Sequence, residues 1–149
     1  MSEVTFTVYG TAQPAGSKRA GRSKSGKVFV YDDAKKSRPW KAQVYNAAAE
    51  AMAGARLLEG PLRLSVVFTV ARPKSHYGAR GVLPSAPARP TVRPDVTKLL
   101  RAVEDGMTAI VWRDDAQVVE QHAVKRYGEP ACAEVHVRTL AEEASADAS

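Results

Sequence analysis

The stretch between Pro94 and the pair Asp114–Asp115 places the strongest restriction on how this chain folds. From Val96 onward, apolar residues recur at i+3, i+4 and i+7, which is the spacing of one face of an α-helix. The residues of this stripe are Leu99, Leu100, Val103 and Met107. A helix with one apolar stripe buries that stripe against another layer of secondary structure. The remainder of the chain therefore has to supply that layer.

Alternation of apolar and polar residues predicts a sheet. The clearest strand runs from Leu62 to Val70. Shorter runs with strand character lie at 4–9, 27–31, 117–127 and 133–138. The last of these is expected to close the sheet as an antiparallel strand.

A second helix is predicted to begin near Ser37 and to extend to Glu59–Pro61, with Pro39 in its first turn. Its apolar face is narrow and rich in alanine, which suits close packing on a sheet; it comprises Trp40, Val44, Ala47, Ala48, Ala51 and Ala55. The predicted fold class is α+β, a small antiparallel or mixed sheet packed against two helices, with long basic loops. We expect one domain over residues 1–149, with a frayed acidic tail at 141–149.

Aspartates lie near both ends of the helix predicted from Val96 onward. Asp95 lies at its start, Asp105 near its end, and Asp114 and Asp115 just beyond it. On a chain with net charge +6, this collection of carboxylates suggests an oxygen-ligand site for a hard divalent cation. The turn after the helix can return Asp114 or Asp115 to the helix start, although periodicity does not fix this. The alternative is structural, with Asp95 as a helix cap and Asp114–Asp115 as a turn.

The charge is distributed unevenly. Residues 1–93 carry 16 Lys and Arg against 5 Asp and Glu, whereas residues 94–149 carry 6 against 11. A basic half joined to an acidic site is typical of an enzyme that cuts a polyanion, although a solvated basic surface has the same composition. The candidate DNA contacts lie in the loops at 11–27 and 71–93 and at two helix starts. They are Lys18, Arg19, Arg22, Lys35, Lys36, Lys74, His76, Arg93 and Lys98.

Tyr77 lies beside two of these candidates, Lys74 and His76, in the loop at 71–93. It could stack on an exposed base while the cations contact phosphate. Both loops have a plainer alternative, because long polar or proline-rich segments are also typical of flexible surface insertions.

A family resemblance adds to this interpretation. The run from Pro94–Asp95 through Arg101, Asp105 and Trp112 to the block DDAQVV at 114–119 resembles the RusA family of Holliday junction resolvases, which occur on phages and prophages. The resemblance implies a homodimeric, cytoplasmic endonuclease of a bacterial cell that depends on Mg²⁺ or Mn²⁺ and cuts four-way or other branched DNA. The alternative is a DNA-structure-binding protein that keeps the fold without full catalysis.

The resemblance also implies roles for individual residues. The catalytic residues are Asp95, Asp115 and Arg101, where Arg101 replaces the family's lysine. The metal ligands are Asp95, Asp115, Asp114, Asp105 and Thr97. Thr97 stands where the family has its second Asp and Lys98 where it has Asn, so the site holds one negative charge fewer.

The remaining composition suits an intracellular setting. The single cysteine, Cys132, cannot form an intramolecular disulfide and is expected on a strand. The chain has no run of 18 apolar residues and no signal-like start, so we expect a soluble protein.

Overall fold

The computed structural model describes residues 1–16, 18–32 and 37–141, and only the backbone at 18–21 and 29–32. The central sheet has four strands, β1 (Glu3–Tyr9), β4 (Leu62–Val70), β7 (Val118–Tyr127) and β8 (Cys132–Thr139). Their order is β1-β8-β4-β7. β8 pairs antiparallel with both β1 and β4, whereas β4 and β7 are parallel. The sheet is therefore mixed and the fold is α+β, as the sequence predicts.

The parallel pairing of β4 with β7 determines the position of the helix predicted from Val96 onward. Two parallel strands need a long crossover connection, and here the crossover from β4 to β7 contains α2 (Val96–Met107). The other helix, α1 (Ser37–Met52), packs beside α2 and against β1. The predicted stripe of α2 is buried in full, together with Ala102 and Gly106.

The apolar sides of both helices and of the sheet form one core. On α1, Trp40, Val44, Ala48 and Met52 are buried. The fully enclosed strand residues include Leu62, Leu64, Val66, Phe68, Val135 and Val137. The two helices approach closely at Gly106, because a Cβ atom there would lie 2.8 Å from the Val44 side chain. Glycine at this point lets the helices touch.

The α1 helix ends earlier than its sequence predicts. It stops at Met52, well before Glu59–Pro61, because Ala53 and Gly54 adopt left-handed conformations with φ of 49° and 79°. This is a common way to terminate a helix. Ala55, predicted on the helical face, therefore lies beyond the helix.

Both long basic segments contain secondary structure. In the first, β2 (Lys18–Arg22) pairs antiparallel with β3 (Val28–Asp32). The second contains a 3-10 turn at Lys74–His76 and a two-stranded hairpin of β5 (Tyr77–Gly78) and β6 (Gly81–Val82). The segment at 71–93, for which a flexible surface insertion is the plainer alternative, therefore contains a turn and a short hairpin.

Some sequence predictions fall outside the described residues. These are the DNA contacts Lys35 and Lys36 and the acidic tail from residue 142 onward. Cys132 lies in β8 and is buried, as predicted for a strand residue. None of the helices in the described part of the chain is long and apolar enough to span a membrane.

Candidate active site

Asp95 occupies the N-cap position of α2, but its side chain does not cap the helix. Its backbone is extended, with φ −68° and ψ 141°, and its carboxylate makes no capping hydrogen bond. The residue is exposed and borders a depression of about 260 Å³ whose other lining residues are Pro14, Arg93, Pro94 and Lys98. The Asp95 carboxylate is an oxygen donor that can bind a cation, whereas Arg93 and Lys98 can contact a phosphate in the same depression.

The first basic hairpin starts near the same end of α2. The backbone N–H of Ala15 donates to the carbonyl oxygen of Lys98 at 2.9 Å, and Ala15 is buried in the core. Lys18, the first residue of β2, follows three residues later and so begins within about 11 Å of this bond. The predicted contacts Lys18 and Arg19 thus lie on a strand that leaves the core beside Asp95, and Arg22 ends that strand.

Asp115 is fixed at the other end of α2. Its Oδ1 atom accepts hydrogen bonds from Trp112 Nε1 at 2.8 Å and from Thr108 Oγ1 at 2.6 Å. Thr108 is the C-cap residue of α2, and the Trp112 side chain is fully buried. Both contacts use one oxygen of the carboxylate. Within the described residues, Oδ2 accepts no hydrogen bond, so it remains available to a ligand.

Gln117 holds the turn that carries Asp114 and Asp115. Its Oε1 atom accepts from the backbone N–H groups of Arg113 and Asp114, both at 3.0 Å, while Asp114 Oδ1 accepts from Ala116 N at 2.9 Å. Its Nε2 atom donates to two backbone carbonyls before β4, those of Leu58 at 3.0 Å and Gly60 at 3.1 Å. This role of Gln117 is not among the predictions from the sequence. The spacing Asp-x-x-Gln is that of a capping box and could have indicated it.

The turn lies beside the end of α2 and not beside its start. Thr108 lies thirteen positions after Asp95, and a rise of 1.5 Å per residue places the two ends of the helix about 20 Å apart. Of the two directions that the sequence leaves open, the turn therefore takes the one away from Asp95 within one chain. In the described ranges, no group of three or more His, Cys, Asp or Glu side chains could hold a metal ion.

The remaining predicted ligands lie between these ends. Thr97, Arg101 and Asp105 are exposed on one face of α2, as the periodicity predicts. The Asp105 carboxylate lies 3.2 Å from the Nζ atom of Lys41 on α1 and forms an ion pair with it. This ion pair holds the Asp105 side chain between α1 and α2 without a metal ion.

The predicted contacts of the 71–93 segment differ in their surroundings. Lys74 and Arg93 are exposed. His76, by contrast, packs its ring against Tyr127 with centroids 5.4 Å apart, and its Nδ1 atom lies 3.3 Å from Arg72 Nη1. These contacts anchor the loop to β7, so the structure gives His76 an anchoring role within the chain.

Comparison with known proteins identifies the family. Residues 11–138 match the family described as Endodeoxyribonuclease RusA. The chain belongs to the RusA endodeoxyribonuclease family. It is also 32% identical over 143 residues to the "Uncharacterized protein YqaN" of Bacillus subtilis (strain 168), a match that covers 94% of this chain and 99% of that protein. The family match includes both ends of α2 and the DDAQVV block, together with β4, β7 and all but the last residue of β8, whereas β1 precedes it.

Glu104 adds an acidic group near Asp115 that the resemblance to RusA proteins did not indicate. Its carboxylate accepts a hydrogen bond from Gln121 Nε2 on β7. Burial is the largest cause that raises the pKa of Glu104 above its ordinary 4.5; the bond from Gln121 opposes the shift, and the charges of Asp115 and Asp105 add to it. The negative charge of Asp115 therefore also affects Glu104, a residue to which it is not hydrogen-bonded.

The raised pKa of Glu104 makes stability depend on pH. Because the folded chain holds this proton more tightly than the unfolded chain, ionisation of Glu104 lowers stability as the pH rises above 4.5. We expect Glu104→Gln, which keeps an acceptor for Gln121, to unfold at higher urea concentration than the wild type at pH 7. This advantage should shrink as the pH falls toward 4.5 and be lost below it.

Urea midpoints measured between pH 4 and pH 8 check this prediction. Glu50→Gln is the matched control, since it removes an exposed carboxylate from α1 and changes the net charge equally. An equal change in both variants at every pH would contradict the prediction.

Proposed function

We propose that this RusA-family protein is a divalent-metal-dependent endodeoxyribonuclease that cuts four-way or other branched DNA as a homodimer. The proposal depends on one observation. The two carboxylates that the family motif marks, Asp95 and Asp115, are both accessible but lie at opposite ends of α2. A complete site therefore needs a second copy of the chain.

A two-fold axis would bring the second carboxylate of the site from the partner subunit. In a C2 dimer the same surface of each copy faces the other. Two α2 helices in opposite directions would bring Asp95 of one copy beside Asp115 of the partner subunit, twice. Such a dimer has two equivalent sites, which suits a substrate in which two strands are cut.

The donor set fits a hard divalent cation. Asp95 offers a carboxylate free of capping bonds, and Asp115 offers Oδ2 while its other oxygen is held by Trp112 and Thr108. Carboxylate oxygens are the ligands of Mg²⁺ and Mn²⁺. Asp114 and the hydroxyl of Thr97 are further oxygen donors at the two ends of the helix. When bound, the cation would activate a water molecule and neutralise charge on the scissile phosphate.

The cationic side chains would position the DNA. Arg93 and Lys98 flank Asp95 in the same depression, where they would contact the phosphates on either side of the cut. Arg101 is exposed one turn further along α2. It would stabilise the negative charge that develops on the phosphate during cleavage. Asp105 would assist only if its ion pair with Lys41 opened.

A cleavage assay tests the proposal. A labelled four-way junction and a plain duplex of the same sequence are incubated with the protein in Mg²⁺, in Mn²⁺ and in EDTA. We expect cuts in the junction only, and only with metal. A protein that binds the junction but cuts with neither metal would instead be a DNA-structure-binding protein. Thr97 favours that second function, because it removes one negative charge from the site.

The hydroxyl of Thr108 should matter for metal binding. It lies 2.6 Å from Asp115 Oδ1 and 3.0 Å from the carbonyl oxygen of Glu104, so it ties the carboxylate to the end of α2. Thr108→Val keeps the shape and removes the hydroxyl. Loss of such a supporting contact costs about 10- to 100-fold in metal affinity or activity. We expect the Mg²⁺ concentration for half-maximal cleavage to rise by this amount.

The control for this variant is Thr11→Val, an exposed threonine outside the site. Both variants should unfold within about 1 kcal/mol of the wild type, as expected for one hydrogen bond. Unchanged Mg²⁺ dependence in Thr108→Val would show that this hydroxyl does not support the metal site.

A further inference from the structure

The hairpin of β5 and β6 is firmly anchored to the sheet. The guanidinium carbon of Arg72 lies 4.4 Å from the centre of the Tyr127 ring, and Arg72 Nη1 donates to the carbonyl oxygen of Pro87 at 2.7 Å. The first contact is a cation–π interaction with β7. The second joins the two ends of the segment across 15 residues. Arg72 therefore closes the base of the loop and holds it on the central sheet.

The tip of the hairpin is also well defined. Tyr77 pairs with Val82 and Gly78 with Gly81, and the N–H of Leu83 donates to the carbonyl oxygen of His76 at 2.8 Å. Gly81 has φ 102°, a conformation that favours glycine. A Cβ atom on Gly78 would lie 2.7 Å from Leu83 Cδ2, so glycine lets Leu83 lie across the hairpin.

This tip exposes apolar side chains. Tyr77 is 42% exposed, Val82 48% and Leu83 38%. Exposed apolar groups on an ordered hairpin indicate a surface that contacts a partner. The charge around them indicates which partner, because residues 71–93 contain five Arg and Lys and no Asp or Glu. Nucleic acid combines negative phosphates with flat apolar bases and complements both features.

The hairpin and the chain next to Asp95 are attached to the same strand, β7. The Nζ atom of Lys125 on β7 donates to the carbonyl oxygens of Val92 at 2.7 Å and Pro94 at 3.0 Å. These bonds fix the end of the segment one residue before Asp95. Tyr127 of the same strand contacts Arg72 and His76 at the base of the hairpin. Strand β7 thus holds both the hairpin and the residue before Asp95, so DNA held by one would be presented to the other.

We propose that this hairpin enters the branch point of the DNA and that Tyr77 stacks there on a base that the branch leaves accessible. Val82 and Leu83 form the apolar surface beside it, and Lys74 and Arg80 contact the adjacent phosphates. This inference rests on the proposed function and names the part of the protein that distinguishes branched DNA from plain duplex.

A second copy of the chain is a less suitable binding partner for the hairpin tip than DNA is. Two such segments meeting at a two-fold axis would bring their positive charges together, which opposes association. Three side chains also supply far less area than the roughly 1,200 Å² that a stable protein interface buries. Bases at a branch need neither a large area nor negative protein charge.

Binding measurements on Tyr77→Ala test the inference. Stacking of one base on an aromatic side chain is worth about 1–3 kcal/mol, which corresponds to roughly 5- to 150-fold in affinity. We expect the Kd for a four-way junction, measured in Ca²⁺ or EDTA, to rise within this range. The Kd for plain duplex should not change, nor should the dependence of log Kd on salt, because no charge is lost. Tyr77→Phe should bind the junction as the wild type does.

Tyr45→Ala is the matched control, since Tyr45 is 49% exposed on α1; it should leave both affinities unchanged. A junction with 2-aminopurine at the branch gives a second readout. Its fluorescence should change on binding of the wild type and of Asp95→Asn, but not of Tyr77→Ala. Equal losses for junction and duplex, or wild-type junction binding by Tyr77→Ala, would overturn the inference.

Three further results distinguish failure of this inference from failure of the proposed function. A shift of Tyr77→Ala from dimer to monomer in sedimentation would overturn the inference in favour of a second copy as the partner. Normal cutting of junctions together with an unaltered affinity of Tyr77→Ala would overturn it and leave the nuclease function standing. A wild-type protein without any preference for branched DNA would overturn both.

Discussion

Asp95→Asn is expected to lower the rate of metal-dependent junction cleavage on the order of 1,000-fold. A catalytic cation contributes several kcal/mol of charge stabilisation, and about 1.4 kcal/mol corresponds to tenfold in rate. Junction binding should persist or tighten, because a carboxylate that faces phosphate is removed. Cleavage and gel-shift assays on one four-way junction measure the two effects separately.

Thermal stability separates this function from a structural role of Asp95. A capping side chain would contribute roughly 1 kcal/mol, or about 2–4 °C in Tm for a chain of this size. Because the Asp95 carboxylate makes no capping bond, we expect a smaller change in Tm for Asp95→Ala. Asp114→Ala is the comparison, since Asp114 does cap its turn through Ala116 N and alanine removes the acceptor. A clear fall in Tm with unaltered cleavage would assign Asp95 to the fold.

Mixed dimers of two inactive variants are expected to recover activity. If each site combines Asp95 of one copy with Asp115 of the partner subunit, then Asp95→Asn and Asp115→Asn are each inactive alone. A mixed dimer joins both substitutions in one site and leaves the other site intact. With equal amounts and free exchange of subunits, half of the dimers are mixed, so about a quarter of all sites are functional.

Nicking of a labelled junction measures this recovery. The two variants are unfolded and refolded together, or produced together, and compared with each variant refolded alone. Asp95→Asn mixed with Thr97→Val serves as the non-complementing control, because both substitutions lie at the same end of α2 and leave neither shared site intact. Complete inactivity of the Asp95→Asn and Asp115→Asn mixture would contradict a site shared between copies.

The sequence predicts the helical stripe and the fold class because both depend on local periodicity. The burial of Leu99, Leu100, Val103 and Met107 follows from their spacing alone, and so does the exposure of Thr97, Arg101 and Asp105. The parallel pairing of β4 with β7 does not follow from either strand. It requires the crossover that carries α2, which is a property of the whole chain.

The position of Asp115 could not be predicted for a similar reason. A turn after a helix can fold toward either end, and the choice here depends on distant contacts. Gln117 binds two carbonyls that precede it by 59 and 57 residues, and Trp112 is enclosed by the core. The order of the 71–93 segment likewise depends on Tyr127, more than 30 residues away. Periodicity depends on residues that are close in sequence, so it does not predict contacts between residues that are far apart in sequence.

The number of turns in α2 has a consequence for the geometry of cutting. In the proposed dimer, two antiparallel copies of this helix carry one metal site at each end, so the helix sets the separation of the two scissile phosphates at about 20 Å. One additional helical turn would move the two cuts about 5 Å further apart and leave every carboxylate in place. Helix length would then determine where the second strand is cut relative to the first.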